Sequence, residues 1–328
     1  MKKTAQLFLN IVVGIAAFLF FLIVLFPLDD VLSHYLATLE DVTKSGPKLS
    51  VAVSDIDASL FFESEFKDFH LYQNRSEVFS APSISLGVSW FSLLAGAPSI
   101  HFTAHYPSGE VSGQVSLNLQ DSGRGTQVTL KSLELDFDAV RLRDLKFLET
   151  VFASKGVPLR LRGEIDGNVY LDLAQDISDA EGEIALKIKN ARINEMTLDD
   201  VKLPPENKSL MIPRLILGQK GDPVIFSVEI AAGRVNFREF NIPGPDLKIV
   251  IKGNLILDKQ FRPNRMSIDG AFGFSKKLES QFPQIEFIAG FKQKDGLFPF
   301  KLSGSRGQPS LKIGEMELSN MLNLSSIF

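Results

Sequence analysis

Cysteine is missing from all 328 residues, and histidine, tyrosine and tryptophan are scarce, at four, four and one. Without thiols, disulfide scaffolds, zinc ribbons, iron–sulfur sites and thiol nucleophiles are excluded together. Neither sign of charge dominates, since 35 basic side chains meet 39 acidic ones for a formal net charge of −4. That balance argues against nucleic acid as the main partner. Lys and Arg are dispersed along the chain rather than forming a basic stripe with interleaved aromatics. The sequence also lacks a glycine-rich phosphate loop, a Gly-x-Ser-x-Gly elbow and a His-Glu-x-x-His pair. No catalytic residue, metal ligand or cofactor is expected, and an enzyme is the least supported class.

Phenylalanine is the excess, with 27 residues, of which five fall in the first 28. Phe offers a large apolar surface without a polar handle, which suits a core or a lipid-facing wall. Thr4 to Leu28 is a run of 25 residues without a charge. About 20 apolar residues span a bilayer's hydrocarbon core, so the run is long enough. A cleaved signal peptide would carry a shorter apolar region ending in small residues. This run ends in Phe26-Pro27-Leu28, which favours an uncleaved transmembrane helix with Phe18, Phe20, Phe21, Leu22, Ile23, Leu25 and Phe26 as its lipid-facing anchor. Lys2 and Lys3 before the span and Asp29-Asp30 after it leave the N-terminus cytoplasmic by the positive-inside rule. The bulk of a single-pass inner-membrane protein would then be periplasmic, in a Gram-negative type of bacterium.

Residues 29–48 follow as an amphipathic helix or linker, with Val31, Leu32, Tyr35, Leu36 and Leu39 at helical spacing. From Leu49 to the C-terminus the pattern is strand. Val111, Val115, Leu117 and Leu119 alternate with Glu110, Ser112, Gln114, Ser116 and Asn118. The same alternation recurs in Leu133-Leu135-Phe137, Val169-Leu171-Leu173, Ile184-Leu186-Ile188, Val224-Phe226-Val228-Ile230, Leu247-Ile249-Ile251, Ile285-Phe287 and Phe298-Phe300-Leu302. Many short strands with one apolar face and no intervening helices indicate an antiparallel all-β fold, a curved sheet or half-barrel. Gly109, Gly163, Gly182, Gly233 and Gly253 each read as the entry of a strand. Helical insertions are expected at Trp90–Gly96 and across Arg141–Lys155, the latter presenting Leu142, Leu145, Leu148 and Phe152. Lys202–Lys208, with Pro204-Pro205, is either a long surface loop in one continuous sheet or a joint between sub-blocks 49–201 and 209–328. The chain from Met316 to Phe328 reads as a last strand and a tail rather than a helix touching a membrane.

The titratable residues form no convincing site. His101 and His105 share a strand's polar face about 13 Å apart, too far to hold one metal. Asp55/Asp57 and Asp136/Asp138 alternate along their strands without a third ligand. The apolar face says more. It must pack on a second sheet, accept helices, or curl into a trough that takes lipid acyl chains. Alternation assigns Phe226, Val228, Ile249, Ile251, Phe287 and Phe300 to such a groove, provided that register keeps them on one face.

Two stretches resemble known envelope families. The N-terminal span followed by Leu49-Ser50-Val51-Ala52-Val53-Ser54-Asp55-Ile56-Asp57-Ala58-Ser59-Leu60-Phe61 and by Gly109-Glu110-Val111-Ser112-Gly113 is similar to the opening of AsmA-like proteins. Phe226–Val235, Phe240–Ile249, Lys252–Leu257 and Leu302–Leu311 resemble the glycine-led and closing strands of the type II secretion system protein N (GspN) family. The second resemblance implies an inner-membrane-anchored, non-enzymatic accessory of protein export that contacts other secretion or envelope proteins. The first implies a lipid-binding or lipid-transfer β-groove for phospholipid acyl chains. Neither carries a defined functional residue onto this chain.

Overall fold

The computed structural model describes residues 49–57, 63–73, 76–89, 97–121, 126–146, 159–173, 179–198, 210–257, 263–280, 288–305 and 308–317, with Ser92 and Glu149. The anchor residues, the 29–48 segment, Pro204-Pro205, Phe287 and the tail beyond Glu317 lie outside the described residues. Among those described, no helix is long and apolar enough to cross a membrane. The chain divides into two compact units between Val88 and Ser89. Both are antiparallel β-structure, as the alternating sequence requires.

In the first unit, β1 (Leu49–Ala52) and β2 (Asp55–Asp57) both pair with β3 (Ser64–Gln73), which pairs on its other side with β4 (Ser76–Val88). Ile56, Phe66 and Ile84 stand in one cross-strand row, with Phe66 and Ile84 buried. Phe69 meets Phe66 and Phe79 edge-on, at centroid distances of 6.5 and 6.1 Å.

The second unit is a meander. It comprises β5 (Ser99–Tyr106), β6 (Gly109–Asp121), β7 (Thr126–Arg141), β8 (Leu161–Asp172) and β9 (Glu181–Ile193), each paired with the next. The chain then leaves the sheet through a two-stranded hairpin, β10 (Met196–Leu198) with β11 (Leu210–Ile212), and a short β12 (Leu215–Ile216) laid on the end of β9. It returns as β13 (Val224–Ala231), paired with β9 over eight residues. The meander continues through β14 (Arg234–Pro243), β15 (Leu247–Leu257), β16 (Pro263–Phe274), β17 (Phe298–Ser305), β18 (Gln308–Ile313) and β19 (Met316–Glu317). Helix α1 (Lys276–Glu279) follows β16. The Lys202–Lys208 segment therefore falls between the two strands of the β10–β11 hairpin.

Residues paired directly across a ladder point to the same face, so register can be followed strand by strand. One row runs Ala104, Val111, Phe137, Gly167, Leu186, Phe226, Phe240, Ile251, Gly270, Phe300, Ile313. The next runs Phe102, Gly113, Leu135, Val169, Ile184, Val228, Phe237, Gly253, Ile268, Leu302, Leu311. A third runs Ile100, Val115, Leu133, Leu171, Gly182, Ile230, Val235, Leu255, Met266, Gly304, Pro309. No polar side chain interrupts any of the three. The opposite face is polar, as in the row His101, Gln114, Glu134, Tyr170, Glu183, Glu229, Asn236, Asn254, Ser267, Ser303, Ser310.

Bulges keep the faces separate where alternation alone would mix them. Ala139, at φ 52°, is extra in β7 opposite Asp166; Asn190, at φ 51°, is extra in β9 opposite Gly163. In β14 the register shifts at Arg238-Glu239, so Phe237 and Phe240, three apart, both reach the apolar face. A bulge adds one residue to its strand and increases the local twist. Gly163 and Gly253, expected at strand entries, instead lie inside β8 and β15 with φ of +146° and +133°. The expected helix over Arg141–Lys155 also begins differently: Arg141 ends β7, and Leu142–Asp144 forms a 3-10 turn. Leu142 and Leu145 are buried there, while Leu148 and Phe152 lie outside the described residues.

Candidate functional site

The apolar face of the second unit is the candidate site. Register places Phe226, Ile251 and Phe300 in one row, Val228 in the next and Ile249 on the other side. The five described residues of the expected groove thus share a face. Val228 is 1% exposed, whereas Phe226, Ile249, Ile251 and Phe300 are half-buried. The Phe226 ring meets Phe240 at 5.7 Å and Phe237 at 6.5 Å, both edge-on. Phe272 stacks on Phe298 at 5.4 Å and lies 6.1 Å from Phe300. Phe237, Phe240 and Phe272 belong to the same surface. For β14 simple alternation misassigns one of its two rings, because the bulge changes the period.

Four phenylalanines sit directly across from glycine: Phe102 from Gly113, Phe137 from Gly167, Phe237 from Gly253 and Phe300 from Gly270. A methyl group on Gly270 would meet the Phe300 ring at 2.5 Å, and one on Gly113 would meet Phe102 at 3.0 Å. The Phe300 and Phe102 rings therefore lie over the glycines beside them rather than standing upright. This pairing accounts for part of the phenylalanine excess.

A fourth row closes one end. Val140, Ile165, Ile188 and Val224 continue through β7, β8, β9 and β13, and Ile242, Ile249, Phe272 and Phe298 through β14 to β17. Over it Leu215, Leu217 and Leu278 form a buried cluster with Ala191 and Val224, against Ile188, Ile242, Leu247 and Phe274. The Ser275 side chain caps α1 by accepting from the Leu278 amide at 3.3 Å, and Leu217 donates its amide to the Ala191 carbonyl at 2.8 Å. The described covering elements of this sheet all gather at that end.

The charged groups of the strands stay on the polar faces. His105 Nδ1 lies 3.4 Å from Glu110, and Asp55 pairs with Lys67 at 2.8 Å. Lys189 Nζ sits 2.8 Å from Asp166 and 3.4 Å from Glu164; its hydrogen bond to Asp166 holds the ammonium above its ordinary pKa. Burial, aided by the negative charge of Asp144, pushes the Tyr106 phenol up. Among the described residues no group of three or more His, Asp or Glu side chains converges as metal ligands would.

Comparison with protein families, with curated proteins and with solved structures returns no match to this chain.

Proposed function

We propose that this protein is a membrane-anchored lipid-handling module of the bacterial envelope, which shelters phospholipid acyl chains against the apolar face of its second unit. The observation that carries this reading is the set of three unbroken apolar rows across eleven strands, with the described covering elements confined to one end. At about 4.8 Å per strand and 6.8 Å between rows, the three rows form a face roughly 50 Å by about 14 Å. Along the three rows Ala104, Val111, Val228, Met266, Ile268 and Ile313 are buried, and the other side chains are half-buried. A leaflet's acyl layer is about 15 Å deep, so chains of that length fit the face. In this reading the sheet is curved into a trough, residues 4–28 form the single inner-membrane span, and the two units are periplasmic. The resemblance to the GspN family supports placing the module beside a protein-export apparatus, where it would act through contacts with secretion proteins and without catalysis.

The test is mass spectrometry of lipids retained by a form beginning at residue 29, prepared from a periplasm without detergent. Stoichiometric phospholipid is expected, and Phe226→Glu is expected to lower it at least ~10-fold with the far-ultraviolet circular dichroism unchanged. A lipid-free native protein, or unfolding of the variant as a closed core would require, would count against the trough.

A further inference from the structure

The polar face of the second unit is divided in charge. Strands β5 to β9 carry ten acidic residues against six basic, whereas β14 to β18 carry seven basic against two acidic. Register gathers the basic ones: Lys252, Asp269, Lys301 and Lys312 form one cross-strand row that ends on Glu317 of β19, and Arg234 and Arg265 flank Ile256 in another. Arg238 is neutralised by Glu229 at 2.8 Å and Lys301 faces Asp269 at 3.7 Å. Arg234, Lys248, Lys252, Arg265 and Lys312 are exposed and have no ion pair among the described residues.

We propose that the polar face of β14–β18 rests on an anionic phospholipid surface, with these five side chains against headgroup phosphates. The inference stands on charge and register and does not depend on the acyl-chain reading of the opposite face. One general property of sheets and two observations select this occupant. Adjacent strands rotate by about 20–25°, so the six steps from β7 to β16 turn the sheet normal by roughly 120–150°. The acidic half then points away from the surface that the basic half meets, and a second copy stacked polar face to polar face does not fit. The basic half carries no aromatic side chain on that face, which removes the base-stacking platform that single-stranded nucleic acid uses. The uncharged run Thr4–Leu28 belongs to the same chain and is long enough to enter a bilayer, so headgroups are the anions at highest local concentration.

The experiment reconstitutes the full chain in vesicles of phosphatidylcholine alone or with about one-third phosphatidylglycerol. Lysines are modified with a water-soluble amine reagent and each site's rate is read by peptide mass spectrometry. Lys248, Lys252 and Lys312 are expected to react about tenfold more slowly in the anionic vesicles and to recover in about 0.5 M salt, while Lys131 and Lys187 keep their rates. Equal rates at Lys248, Lys252 and Lys312 in both vesicles would overturn the proposal. So would slowing shared by Lys131 and Lys187, or protection that is already complete in phosphatidylcholine.

Discussion

Glycine at position 253 shows how a single residue holds the two faces apart. Its φ of +133° is costly for any other residue, and a Cβ there would collide with the Ser267 carbonyl oxygen. It sits opposite Phe237, beside the β14 bulge that turns Phe240 inward. Gly253→Ala is expected to lower stability by about 2–3 kcal/mol in urea unfolding. Gly221, with nothing within 4 Å of its would-be Cβ, is the control; Gly221→Ala should change stability by less than about 0.5 kcal/mol. Similar losses at both sites would mean that backbone strain at the bulge is not what Gly253 relieves. Glycine's presence here is legible in the sequence. Its role is not, because nothing local distinguishes a glycine that starts a strand from one that faces a bulge.

Among elements, the short α1 and β12 matter beyond their size because they seat Leu278, Leu215 and Leu217 on the fourth apolar row. Leu278 is 4% exposed on a helix of only four residues, too short to hold itself together. Packing, with the Ser275 cap, keeps it formed. Leu278→Ala is expected to cost about 2–4 kcal/mol by cavity formation. Thermal unfolding of the purified protein checks this, and a loss under about 1 kcal/mol would show that the end is not sealed by α1. Strands such as β6 and β13 were legible from alternation alone, since each presents one face over its whole length. β14 was not, because its bulge breaks the two-residue period at Arg238-Glu239.

For the second unit as a whole, the seam between β9 and β13 decides whether the early and late strands behave as one body. Eight consecutive residues pair there, from Val224 with Ile188 to Ala231 with Glu181. Apolar rows pass through the seam without a gap, so opening it would expose Ile184 and Val228 together. Strands β5 to β18 are therefore expected to unfold in one transition, with calorimetric and van't Hoff enthalpies in agreement. Two resolved transitions, or hydrogen exchange at Val228 much faster than at Ile268, would show a weak seam.

The sequence by itself determined the all-β class, the single apolar face and the phenylalanine wall, because strand alternation is a local property with a period of two. It also carried the membership of Phe226, Val228, Ile249, Ile251 and Phe300 on one face. Tertiary structure alone decided which residues stand beside one another. Apolar residues from strands far apart in sequence join into continuous rows only through register, and register depends on bulges and on pairing between distant segments. The same holds for charge. Lysines and arginines that look scattered along the chain collect on β14 to β18 because cross-strand neighbours are set by hydrogen-bonded ladders, not by sequence distance.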